Sequence, residues 1–196
     1  MITFPNYKKA TNAAYKLIAE RDQFSLATNV FAIVEQLNNC RIFTYGQASF
    51  LYGTPLDDLL AVSEYGFSIK KKGNRIIYYN ERMPLACIRF TLAHEIGHAV
   101  LDHRDEDDPM AEKEANCFAR NLLCPAPVIS AFKLLFASEY MAVFNVSAEM
   151  ARVAINHHKS DAFYIESVYS RIIDDKIYAF NLGYESISQF ERYMYA

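Results

Sequence analysis

His94, Glu95 and His98 form the pattern His-Glu-x-x-His. If this stretch is helical, the two histidines are four residues apart on one face, and both imidazoles can reach a single metal ion. Imidazole suits zinc, which takes nitrogen, sulfur and oxygen donors in tetrahedral geometry. Glu95, next to the pair, is then placed to act as general base toward water at the metal. The pattern is uncommon by chance: for five histidines in 196 residues, the expected number of matches is on the order of 0.01. Two histidines and a glutamate would also be costly to bury without partners, and a metal removes that cost.

The helix that carries them should run from Leu85 to Leu101, apolar nearly all round and therefore buried. A third protein ligand must come from elsewhere. The metzincin pattern would place a histidine at 104 and a glycine at 101, where this chain has Arg104 and Leu101. The next helix, from about Met110 to Cys124 with Pro109 in its first turn, carries both Glu112 and Glu114. Glu112 shares a face with Asn116, which could hold a ligand by a hydrogen bond. Helical angles alone leave Glu112 and Glu114 both open. Tyr78, Tyr79 and His103 are candidate donors to a developing oxyanion. Cys117 and Cys124 fit core packing better than metal ligation.

Around this pair of helices, helical spacing predicts helices over 6–21 and Asn29 to Leu37, then a strand from Cys40 to Tyr45. Thr54, Pro55 and two aspartates suggest a helix start with Thr54 as N-cap. Two β-rich runs between Gly66 and Asn80, joined by a Lys-Gly-Asn tip, predict a hairpin. Helical pattern resumes from Val128 to Phe136 and from Ser147 to His158. The second of these, with Phe144 to Val146 before it, has a helix-turn-helix flavour but no dense basic face, so an ordinary helix capped by Ser147 is preferred. From Ala162 to Ala196, the abundance of Tyr, Phe and Ile leaves helix and strand undecided. The acidic run Asp102, Asp105, Glu106, Asp107 and Asp108 reads as a solvated loop.

Composition sets outer limits. Hydrophobic residues at 52% supply a core, which excludes wholesale disorder. The net charge of −3 argues against nonspecific binding to nucleic acid. No apolar run has the length of a membrane span. No basic n-region with a long apolar stretch opens the chain, and the four cysteines lack a C-x-x-C spacing. Reduced thiols in a cytoplasmic protein are the expectation.

Two segments together resemble a known family. Arg89-Phe90-Thr91-Leu92-Ala93-His94-Glu95-Ile96-Gly97-His98, followed by Glu112-Lys113-Glu114-Ala115-Asn116-Cys117-Phe118-Ala119-Arg120-Asn121-Leu122-Leu123-Cys124-Pro125, is similar to the ImmA/IrrE metallo-endopeptidases. Their pattern is F-T-x-A-H-E-x-G-H, a short loop, then E-x-x-A-N-x-F-A-x-x-L-L-x-P. The strand Ile76 to Asn80 is similar as well, and Cys124 stands where the family usually has Met. The resemblance covers roughly residues 60–130. It implies an α+β, mainly helical zincin-like core with a small β-sheet packed on the His-Glu-x-x-His helix. That core would span residues 1–130, with residues 131–196 as a helical, aromatic-rich extension. It also implies Zn2+ held by His94, His98 and Glu112, with Asn116 supporting and Glu95 as the catalytic base. Proteins of this kind are cytoplasmic endopeptidases of narrow specificity. They act on a helix-turn-helix repressor of a phage or mobile element and do not bind DNA or membranes themselves. A non-catalytic anti-repressor acting by stoichiometric binding is the alternative.

Overall fold

A computed structural model describes residues 4–103 and 108–194. The architecture is α+β and mainly helical, with a three-stranded sheet among the described residues. The acidic residues Asp105, Glu106 and Asp107 lie outside the described residues, whereas Asp108 caps the helix that follows.

The chain opens with α1 (Tyr7–Glu20) and α2 (Val30–Gln36), whose caps Asn6 and Asn29 accept the amides of Lys9 and Ala32. Strand β1 (Cys40–Thr44) leads into α3 (Tyr45–Tyr52) and α4 (Leu56–Val62). Neither α3 nor the cap of α4 matches the sequence expectation. Thr44 and Gln47 form a capping box that starts α3 at Tyr45, the last residue of the expected strand, and the N-cap of α4 is Pro55, not Thr54. The hairpin is as expected: β2 (Gly66–Lys71) pairs antiparallel with β3 (Asn74–Tyr79). Its tip places Lys72 and Gly73 at positive φ, the geometry a tight hairpin turn requires. Strand β1 pairs parallel to β3, so β3 is central.

The two faces of the sheet differ in use. Tyr78 and Ile76 face a small cluster with Tyr45, Ala48 and Leu59 from α3 and α4. Ile77 faces the main core, shared with Ile88, Leu92 and Ile96 of α5 (Leu85–Val100). Ser68 pairs with Ile77 across the strands and Arg75 lies two residues before it, so both point to the α5 side.

α6 (Pro109–Leu123) lies along α5, and α1 packs on α6. Beyond it come α7 (Ala126–Phe132), α8 (Ala137–Phe144), α9 (Ala148–Tyr164), α10 (Ser167–Asn181) and α11 (Ile187–Met194). The expected single helix from Val128 to Phe136 is instead broken at Lys133, which adopts a left-handed conformation and ends α7. Glu139 then accepts the amides of Leu135 and Phe136 and starts α8. Ser147 caps α9 as expected, and α9 continues six residues past His158 to Tyr164. Among the described residues the undecided tail is mainly helical, and Ile173 and Ile177 of α10 join the main core.

Two buried guanidinium groups tie these helices to the centre. Arg89 on α5 donates to the carbonyls of Thr28, Phe144 and Asn145, which closes the C-terminal end of α8. Arg120 on α6 grips Asp161 on α9 through Nε and Nη2 at 2.6 and 2.8 Å. Removing one partner of such a pair strands the other charge. Asp161→Ala should therefore lower stability by about 3–5 kcal/mol, read as a shift of the urea midpoint at unchanged slope. A midpoint equal to the parent's would show that the pair is solvated and not structural.

All four cysteines are free; Cys40, Cys117 and Cys124 are buried. No single helix among the described residues is long and apolar enough to cross a membrane.

Candidate metal centre

His94 and His98 project from the same side of α5, with their Nε2 atoms 3.0 Å apart. Helix α6 brings Glu112 against them. Its Oε1 lies 3.1 Å from Nε2 of His98 and its Oε2 lies 3.5 Å from Nε2 of His94. The close approach of α5 and α6 depends on Gly97. A Cβ there would meet the Phe118 ring at 3.0 Å and the Ala115 Cα at 3.3 Å. At the start of α6, Asp108 accepts the Met110 amide and Pro109 occupies the first turn. Glu112 is thus in the first turn, where the helix dipole favours a carboxylate.

The electrostatics of the cluster are those of a cation site. Burial, and then the charge of His94, push His98 well below the usual histidine range. Burial also pulls on His94, but hydrogen bonding to Glu112 and the charges of Glu95 and Glu112 outweigh it and leave His94 raised. Glu112 is lowered, chiefly by its hydrogen bond with His94. The three groups therefore titrate as a unit. Three donor atoms converge within 4.8 Å of one another, where a single metal ion can satisfy all of them. Two imidazole nitrogens and one carboxylate oxygen are a suitable donor set for zinc. Oδ1 of Asn116, 3.1 Å from Nδ1 of His94, accepts from that nitrogen, which leaves Nε2 as the donor atom toward the centre.

Glu95 is 6% exposed. Its Oε2 accepts the Ser68 hydroxyl at 2.6 Å, and Nη1 of Arg75 donates to the Ser68 oxygen at 2.8 Å. The other arm of Arg75, Nη2, donates to the His103 carbonyl at 2.7 Å. Ser68 and Arg75 did not emerge from the motifs. Their signal was present in the hairpin's alternation, which puts a serine and an arginine on the inward face beside Ile77, where each must find an inward partner.

The remaining candidates lie apart from the three converging atoms. The Glu114 carboxylate turns toward His103 at 3.2 Å and accepts the Asn6 amide at 2.6 Å. The His103 ring sits against Nδ1 of His98, the edge opposite its Nε2. Tyr78 is on the sheet face turned away from α5, and Tyr79 packs on Phe31. Cys117 contacts Thr11, and burial pushes Cys124 up to about 12, as expected for packed thiols. Beside Asn116 opens a cavity of about 320 Å³, bordered by Lys113, Arg120 and Tyr164.

"Uncharacterized immunity region protein 2" of Bacillus phage phi105 is 36% identical over 100 residues, which cover 45% of this chain and 63% of the relative. The chain thus spans less than two thirds of that relative's length. The Peptidase_M78 family, described as the IrrE N-terminal-like domain, matches residues 57–156. That span holds the β2–β3 hairpin, α5, α6 and all three residues of the donor cluster. With half of its length matched, and the matched half enclosing this centre, the chain belongs to the IrrE N-terminal-like (Peptidase_M78) family.

Proposed function

We propose that the protein is a zinc-dependent endopeptidase of narrow specificity that cleaves a helix-turn-helix repressor of a phage or mobile element. One observation carries the reading: His94, His98 and Glu112 converge beside the buried carboxylate of Glu95. A pure binding module has no use for that carboxylate. Family membership supports peptidase chemistry, and the phage immunity-region relative supports a repressor as partner. In this reading the protein works in the cytoplasm, and residues 131–196 form an extension of the metallopeptidase core.

His94, His98 and Glu112 would hold the zinc, and Asn116 would fix the His94 ring. When bound, zinc supplies Lewis acidity, polarising the scissile carbonyl and acidifying water. Glu95 takes a proton from the attacking water at its carboxylate and delivers it to the leaving amine nitrogen. Ser68 holds one carboxylate oxygen, so Glu95 enters the reaction already oriented.

The test is incubation of the zinc-loaded protein with helix-turn-helix repressors and, separately, with unfolded casein, followed by intact-mass spectrometry. Cleavage of one repressor at one bond, stopped by a zinc chelator, with casein intact, is the expected result. A repressor released from its operator with its mass unchanged would overturn hydrolysis in favour of stoichiometric binding. Degraded casein would overturn narrow specificity.

A further inference from the structure

We infer that the cavity beside Asn116 is a substrate subsite that takes an acidic side chain, with Lys113 and Arg120 as its specificity-determining residues. The inference rests on the peptidase reading above and adds a feature of the substrate which that reading leaves open. The cavity, about 320 Å³, lies where α1, α6 and α9 meet. Lys113, Asn116 and Arg120 border it from α6 at positions i, i+3 and i+7, and so share one face of that helix. Tyr7 of α1 and Tyr164 of α9 complete the wall. A tyrosine offers a ring to an aliphatic stem and a hydroxyl to its polar end.

The cavity is positively charged. Its one carboxylate, Asp161, is already satisfied, because both of its oxygens accept from Arg120, through Nε and Nη2. The two side chains are only 9% and 7% exposed, so the pair is fixed in place. Arg120 is not used up by it. Its Nη1 has no partner among the described residues and is not shut off from solvent, so it opens onto the cavity. Lys113 is exposed and forms no ion pair among the described residues. A free ammonium beside a spare guanidinium edge, held rigid by a buried carboxylate, is a receptor for a second carboxylate.

Asn116 belongs both to this cavity and to the metal centre, where its Oδ1 lies 3.1 Å from Nδ1 of His94. From Glu112 to Arg120 the helix rises about 12 Å. An extended peptide covers that distance in about three or four residues. The acid is therefore expected about three or four residues from the scissile bond.

The test titrates the 15N-labelled full chain with glutamate capped as its N-acetyl amide, and with glutamine capped in the same way. The amides of Lys113, Asn116, Ser160 and Tyr164 are followed. Capped glutamate should shift them to saturation, and capped glutamine should not. Lys113→Glu should bind capped glutamate at least roughly tenfold more weakly. Lys113→Arg should bind near the parent level, and both variants should keep the parent's urea midpoint. Equal responses to glutamate and glutamine, or unchanged binding in Lys113→Glu, would overturn the inference. Inorganic phosphate is the third probe. Saturation by phosphate with no response to capped glutamate would assign the cavity to a free anion and overturn the side-chain assignment. In a repressor cut by the zinc-loaded protein, replacing the acid about three or four residues from the cut with its amide should slow cleavage roughly tenfold. Unchanged cleavage would overturn the subsite. Binding of capped glutamate is read without cleavage. A protein that binds it and cuts no repressor would fail the peptidase reading and leave the acid-binding cavity standing.

Discussion

Glu112→Ala protein should emerge from desalting without zinc, while the parent retains it stoichiometrically. Glu112 contributes both its oxygens to the pair of Nε2 atoms, and only two imidazoles remain without it. The affinity loss should exceed the ~10–100-fold that follows from losing a supporting hydrogen bond. Glu114→Ala is the matched control. Its carboxylate touches His103 and Asn6, not the donor cluster. That variant should still fill with zinc. Metal content by mass spectrometry decides between them. Zinc retained in Glu112→Ala and lost in Glu114→Ala would move the third ligand to Glu114 and discard the site as drawn.

The second large effect is expected at Glu95. Glu95→Gln should cut peptide hydrolysis by about 10²–10⁴-fold, the range for losing a general base. Zinc content and unfolding midpoint should stay near the parent values. The amide is nearly isosteric, and its oxygen can still accept the Ser68 hydroxyl that now holds Oε2. The variant therefore removes proton transfer while sparing the local packing. Hydrolysis rates beside zinc analysis of the same preparation provide the check. A variant that hydrolyses at the parent rate would remove Glu95 from the mechanism. A variant that loses zinc would show that its charge serves the metal instead.

What the residues alone disclosed follows from how local each signal is. His94 and His98 could be paired from spacing because both sit on one uninterrupted helix, α5. The hairpin was legible because Lys72 and Gly73 mark its turn. Glu112 and Glu114 could not be separated by spacing, because their surroundings depend on how α6 lies across Gly97 and on where α1 begins. Both determinants are tertiary. Helix α3 was missed although Thr44 and Gln47 spell a capping box; its aromatic residues and Gly46 obscure the helical pattern. In the tail, Tyr, Phe and Ile suit strands by propensity. Packing of Ile173 and Ile177 into the main core, with α10 lying against α1 and α7, overrides that preference.

Arg75 sits on the central strand, and its two arms reach in different directions, one to the hydroxyl that orients Glu95 and the other to the carbonyl of His103. A slip of β3 by one residue would turn Arg75 and Ile77 to the opposite face. Helix α5 could form in such a chain and carry both histidines, yet Glu95 would lose the Arg75 behind its hydroxyl partner and His103 its anchor. The orientation of Glu95, unlike the donor cluster on α5 and α6, is thus a readout of strand register. A misregistered chain would present a complete sequence motif with its three donors in place, yet with Glu95 missing the support behind its hydroxyl partner.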